Sequence, residues 1–202
     1  MQIISINELM HIGALIKNCK FSSVTIKNDN GSDASLAEII QCFPLLEKFK
    51  FTGESVSSHI TATTVKELIK ISHFSNIKKF TLYHILEEFD IEEFYESFLK
   101  KNKTMDIELL FDENNSDAYN QKVETVMNKI LLESKTNDIW PPIIFYGTII
   151  NELTLNLYSA HKRASKYLKE FCLLWIFCFS APCLGGIFGD IKNWYSNTFS
   201  SL

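Results

Sequence analysis

The stretch TVKELIKISHFSNIKKFTL, residues 64–82, changes hydrophobic period halfway along, and that change decides the fold class. Thr64 and Glu67 stand three apart, the spacing at which a hydroxyl and a carboxylate each satisfy the other's unpaired backbone N–H at a helix start. Val65, Leu68 and Ile69 follow at helical spacing. Ile77, Phe80 and Leu82 then form an L-x-x-L-x-L pattern, whose last two members lie on one face of an extended strand. The stretch predicts one helix followed by one strand.

The same format recurs on both sides. Ser5 with Glu8, Ser35 with Glu38, Thr64 with Glu67 and Asp90 with Glu93 predict four capped helix starts, at steps of 30, 29 and 26 residues. Four strand triplets follow them: Phe21, Val24, Ile26; Leu46, Phe49, Phe51; Ile77, Phe80, Leu82; and Thr104, Ile107, Leu109. Self-similarity at this period marks stacked repeats, near the upper edge of the roughly 20–29 residues of leucine-rich repeats. A fifth, degenerate unit is predicted to comprise a helix from about Ala118 to Leu132, with Val123, Met127, Ile130 and Leu131 inward, and a short strand at Ile143–Tyr146 after Pro141-Pro142.

Within the units, the pattern predicts a helix over Ile6–Ile16, a strand over Ser22–Lys27 and a turn over residues 28–33. Pro44 ends the second helix, and the polar stretch from Glu54 to Thr63 is expected to be a loop. Ile91, Phe94, Tyr95, Phe98 and Leu99 form one apolar helical stripe. Chained helix–strand units require parallel strands joined by right-handed crossovers. The expectation is therefore an α/β fold: an irregular leucine-rich-repeat-like solenoid of about five units over residues 1–150. A basic-flanked hydrophobic tail, residues 151–202, adds a C-terminal apolar helix.

Strand alternation predicts that Thr25, Lys48, Lys50, Lys79, Thr81, Asp106 and Glu108 are exposed on the concave face. Such faces commonly bind other proteins. Lys48, Lys50, Lys79, Thr81 and Glu108 are the expected protein-contact residues, and the identity of the partner is not written in the pattern.

Composition narrows the function classes. With 46% hydrophobic residues the chain can bury a core, and with 22% charged residues it lacks the signature of wholesale disorder. Arg163 is the single arginine, so no guanidinium cluster exists to read phosphates or guanine edges, and nucleic acid is not an expected partner. Five cysteines without zinc spacing predict reduced thiols and an intracellular chain. The acidic run Glu87, Glu88, Asp90, Glu92, Glu93 and Glu96 coincides with a helix start, where carboxylates are stabilised by the backbone. No H-E-x-x-H, G-x-S-x-G or phosphate-binding glycine loop occurs. No catalytic residue, metal ligand or cofactor is assigned, and the chain is expected not to be an enzyme.

The phrases FPLLEKFKF (43–51), FSNIKKFTL (74–82), DIEEFYESFLKKNKTMDIELLFD (90–112), QKVETVMNKILLE (121–133) and PPIIFYG (141–147) resemble the F-box-associated, leucine-rich-repeat-like region of nematode F-box proteins. The resemblance covers roughly residues 5–147. It implies the substrate-recognition module of a cullin–RING ubiquitin ligase. Proteins of that family carry an F-box ahead of the repeats, whereas here the first repeat opens at Ser5.

The tail carries a separate signal. FCLLWIFCFSAPCLGGIFG, Phe171–Gly189, is 19 residues without a charge, about the roughly 20 needed to cross a bilayer core. Lys162, Arg163, Lys166 and Lys169 precede it, so the positive-inside rule predicts residues 1–170 in the cytosol. The corresponding expectation is a cytoplasmic protein anchored by this segment, and the alternative function is that of a single-pass, tail-anchored membrane protein.

Overall fold

Only two of the four expected capping boxes form in full, because each start signal meets a different backbone. In the computed structural model, helix α1 (Ile6–Gly13) begins with Ser5 N–H donating to Glu8 Oε2 at 2.9 Å while Ser5 Oγ accepts from Asn7 N–H at 3.2 Å. Helix α2 (Leu36–Gln41) begins the same way: Ser35 N–H donates to Glu38 at 2.7 Å and Glu38 N–H donates back at 3.2 Å. The third start is displaced by one residue. Thr63 precedes α3 (Thr64–Leu68), and Thr64 is wholly buried, its Oγ1 accepting from Thr61 N–H at 2.7 Å. Asp90 caps α4 (Ile91–Phe94) through Glu93 N–H at 3.0 Å, without the reciprocal bond.

The structure describes residues 2–101, 104–134, 141–146 and 152–164. These fall in the first of two compact units, Met1–Ala164 and Ser165–Leu202. The apolar run at 171–189 lies outside the described residues. Among the described residues, no helix is long and apolar enough to cross a membrane.

The architecture is mixed α/β with parallel strands and no closed barrel among the described residues. Strands β2 (Asn18–Ser22), β4 (Lys48–Thr52), β5 (Lys79–Ile85), β6 (Asp106–Phe111) and β7 (Ile143–Phe145) form a five-stranded sheet in sequence order. Strands β1 (Gln2–Ser5) and β3 (Val24–Lys27) form a separate parallel pair. The expected strand over Ser22–Lys27 is therefore two strands in two sheets.

The break sits at Ser23, whose φ is +54° and whose N–H donates to Thr52 O at 2.9 Å. Strand register puts Gly53 (φ +111°) and His84 (φ +56°) at the equivalent point of the next two units. Ser23 and Gly53 follow the last residues of β2 and β4 at this level, whereas His84 lies inside β5 at a bulge where the β5–β6 register shifts between Tyr83 and Ile85; positive φ is uncommon outside glycine. After Gly53 the chain enters a 3-10 helix over Glu54–His59, where a loop is expected, and buries Val56, His59 and Ile60.

The helices differ from expectation at their ends. Helix α1 stops at Gly13, short of Ile16. The stripe beginning at Ile91 is one turn of α-helix followed by a π-helical turn, Tyr95–Leu99, and all five of its apolar residues are buried. Helix α5 (Asp117–Glu133) buries Val123, Met127 and Ile130, and Leu131 is partly covered. Helix α6 (Glu152–Ala164) packs on α5 and β7.

One face of the five-stranded sheet and the inward stripes of the helices make a single core. Aromatic rings run through it: Phe49 stacks on Phe80 at 5.8 Å, Phe74 meets Phe80 edge-on at 5.3 Å and Phe98 at 4.9 Å, and Phe94 stacks on Phe98 at 5.3 Å. Each such ring, fully buried, contributes about 1.5–3 kcal/mol over its exposed state.

Candidate functional site

The opposite face of the sheet is polar, and strand register brings its residues into two rows. Lys48, Lys79 and Asp106 lie side by side in one, after Asn18; Lys20, Lys50, Thr81 and Glu108 lie side by side in the next. Lys20 and Lys48 are exposed, and Lys50, Lys79 and Asp106 are half-buried. Thr81 and Glu108, expected to be exposed, are buried at 0% and 1% exposure. Thr25 is also buried, and it belongs to the separate β1–β3 pair. Alternation assigned the correct face to the strand residues of the main sheet, but a face can be covered by elements far along the chain.

Glu108 is the centre of a side-chain network. Tyr83 Oη donates to its Oε1, Lys79 Nζ lies 4.0 Å from its Oε2, and Lys79 also pairs with Asp106 Oδ2 at 2.9 Å. Lys50 Nζ sits 4.8 Å over the Tyr83 ring, at cation–π distance. From α6, His161 Nε2 approaches Asp106 Oδ1 at 3.6 Å, while its Nδ1 bonds Pro141 O at 2.6 Å and so carries the proton. Burial pushes the Glu108 carboxyl above its usual value, against the opposing pull of Tyr83, Lys79 and Lys50. Burial likewise lowers His161, which keeps the imidazole neutral.

This network has a pH signature of definite sign. A carboxyl raised in the folded state is stabilising below its unfolded value of 4.5, and that stability is lost as pH rises through the folded value. Glu108→Gln removes the titration but keeps an acceptor for Tyr83. Denaturant unfolding of both chains should show the wild type losing stability relative to the variant between pH 4 and neutrality. A constant difference across that range would mean that Glu108 is not buried as described.

Elsewhere the titratable groups serve the fold. His59 is buried, with Nδ1 bonded to Ala34 O at 2.6 Å and Nε2 accepting from Ile26 N–H at 3.4 Å. Burial holds it neutral. Glu87, Glu88, Asp90 and Glu92 line a shallow cleft of about 230 Å³ with Tyr119 and Lys122, below the roughly 300–1,000 Å³ of small-molecule pockets. Within it Asp90 caps α4, and Glu87 accepts from Ser116 Oγ at 2.6 Å. Among the described residues no group of three or more His, Cys, Asp or Glu is placed to hold a metal ion. Cys19 and Cys42 carry free thiols, and burial pushes Cys19 up to about 12.

Two members of the network were missing from the expected set. Tyr83 stands two residues beyond Thr81 on the same strand face, so alternation carried one step further reaches it. His161 had no such signal, since it belongs to a helix in the stretch set apart as a tail. No family model matches the chain, and no curated protein is significantly similar to it in sequence.

Proposed function

We propose that this chain is a non-catalytic protein-interaction module of leucine-rich-repeat type, an irregular solenoid that receives its partner on the polar sheet face. The observation that carries this reading is the uneven distribution of charge on that face. At β5 and β6, Lys79 is paired with Asp106 and lies near the buried Glu108, so acid and base offset each other. At β2 and β4 the residues are cationic, with Lys20 and Lys48 exposed and Lys50 beside Lys20 in register. A basic margin of this kind is complementary to an acidic segment of a partner protein, and complementarity sets both choice of partner and rate of encounter. The resemblance of the repeat phrases to F-box-associated regions supports substrate recognition for a ubiquitin ligase as the setting.

The test is charge reversal at the two exposed positions. Lys20→Glu with Lys48→Glu should abolish capture of an acidic partner by the full chain, with a change in unfolding free energy within about 0.5 kcal/mol, as for surface sites. Capture by the wild type should also fall steeply with added salt. Retained capture by the double variant would remove the polar face from the function, and loss of folding would show that these side chains are not at the surface.

A further inference from the structure

We propose that Asn30 is a self-modification site, at which the chain converts its own asparagine amide to an acid through a cyclic imide made with the Gly31 nitrogen. Asn30 and Gly31 are exposed in the turn between β3 and α2. Gly31 N–H donates to Asn28 O at 2.9 Å, Asn28 N–H donates to Ser32 O at 2.8 Å, and Gly31 has φ +82°. A three-residue hairpin loop closes in this way on a left-handed residue, so the turn itself calls for a glycine. The same glycine lacks the Cβ that would crowd an attack by its own nitrogen on Asn30 Cγ. Beyond its chain neighbours, nothing lies within 4 Å of where that Cβ would stand.

The folded turn adds an activation that the bare Asn-Gly pair does not carry. Asn30 Oδ1 accepts from Ser32 N–H at 2.9 Å and from Ser32 Oγ at 2.7 Å. A backbone N–H can only donate, which fixes the oxygen of the amide as the atom facing Ser32. Asn28 Nδ2 donates in turn to Ser32 Oγ at 3.3 Å, polarising the hydroxyl towards Asn30. Two donors on one carbonyl oxygen draw charge from Cγ and hold the oxyanion that forms when Cγ is attacked, the principle by which acyl transfer is accelerated. The bond from Gly31 N–H to Asn28 O opposes attack and has to open first, which costs little in an exposed loop.

The reaction consumes only water. Gly31 N loses its proton to a solvent base and bonds Cγ, the Cγ–Nδ2 bond breaks, and Nδ2 leaves as ammonia. Water then opens the imide ring at one of its two carbonyls. Opening at Cγ leaves aspartate; opening at the main-chain carbonyl leaves isoaspartate, whose backbone is longer by a methylene. Either product adds a negative charge to a chain of net charge −4, beside Asp29 and the Lys27–Asp33 ion pair of 2.7 Å. Isoaspartate also lengthens the loop that Asn28 and Ser32 close, loosening the connection from β3 to α2. This inference does not depend on the reading of the polar face.

Peptide mapping of the full chain after incubation at neutral pH, with a separation that resolves aspartyl from isoaspartyl peptides, tests it. The peptide containing residues 28–33 should gain the mass difference between amide and acid at Asn30. Conversion should quicken as pH rises, because the attacking nitrogen has to lose its proton. Ser32→Ala removes the hydroxyl donor at an exposed position and should slow conversion of the folded chain about fivefold, the worth of one hydrogen bond. In denaturant the same substitution should leave the rate unchanged, since the turn that aims the hydroxyl is gone. An Asn30 that stays intact in the folded chain over the time in which the denatured chain converts would overturn the inference. So would equal folded-state rates for wild type and Ser32→Ala, or a Ser32→Ala effect of the same size in denaturant.

Discussion

Phe80→Ala is expected to lower the unfolding free energy by roughly 3–5 kcal/mol, the range for deleting a fully buried aromatic ring. Phe80 is 0% exposed and occupies the middle strand of the five, stacked on Phe49 at 5.8 Å and met edge-on by Phe74 at 5.3 Å. Removing it takes a partner from both the sheet side and the helix side of the core, and neither Phe49 nor Phe74 can move into the space without leaving its own neighbours. For a folded unit of this size the loss corresponds to a fall in Tm of roughly 6–20 °C. Calorimetry of the two full-length chains measures it. A shift under about 2 °C, less than 1 kcal/mol, would place the ring outside a close-packed core.

Gly13→Ala sets two effects of opposite sign against each other. On helix propensity alone, alanine in place of glycine in α1 is favourable by about 1 kcal/mol. Packing opposes it: a Cβ at Gly13 would lie 2.1 Å from Cys42 O, 3.0 Å from Cys42 C and 3.1 Å from Phe43 Cδ1. The first contact is with backbone at the C-terminal end of α2, which cannot rotate away, so the two helices must separate. Overpacking of this kind costs typically about 1–3 kcal/mol, and a backbone clash belongs at the upper end. The expected outcome is a net destabilisation near 2 kcal/mol by denaturant unfolding. A variant more stable than wild type would show that α1 and α2 are not in contact at Gly13.

The same residue shows where one-dimensional reading stops. The apolar pattern from Ile6 to Ile16 runs through Gly13 as though it were an ordinary helical position, but α1 ends there against α2. Ser23 and His84 are similar cases. Both adopt positive φ level with Gly53, Ser23 between β2 and β3 and His84 at the bulge where the β5–β6 register shifts. The positive-φ position repeats in space, and only Gly53 among its three occupants is a glycine.

What the sequence determined by itself is everything carried by neighbours within a turn or two. Ser5 and Ser35 start helices because a hydroxyl, a carboxylate and the two N–H groups they satisfy lie within three residues. Phe49, Phe51, Phe80, Leu82, Ile107 and Leu109 face the core because strand alternation is local geometry, and their spacing implies parallel pairing in sequence order. What only the tertiary structure decided is the state of the other face. Glu108 is enclosed through Tyr83, 25 residues away, and Asp106 meets His161 from a helix more than fifty residues on. Burial of a charge is a property of everything that surrounds it in three dimensions, so alternation can assign Thr81 and Glu108 to a face without deciding whether that face meets water.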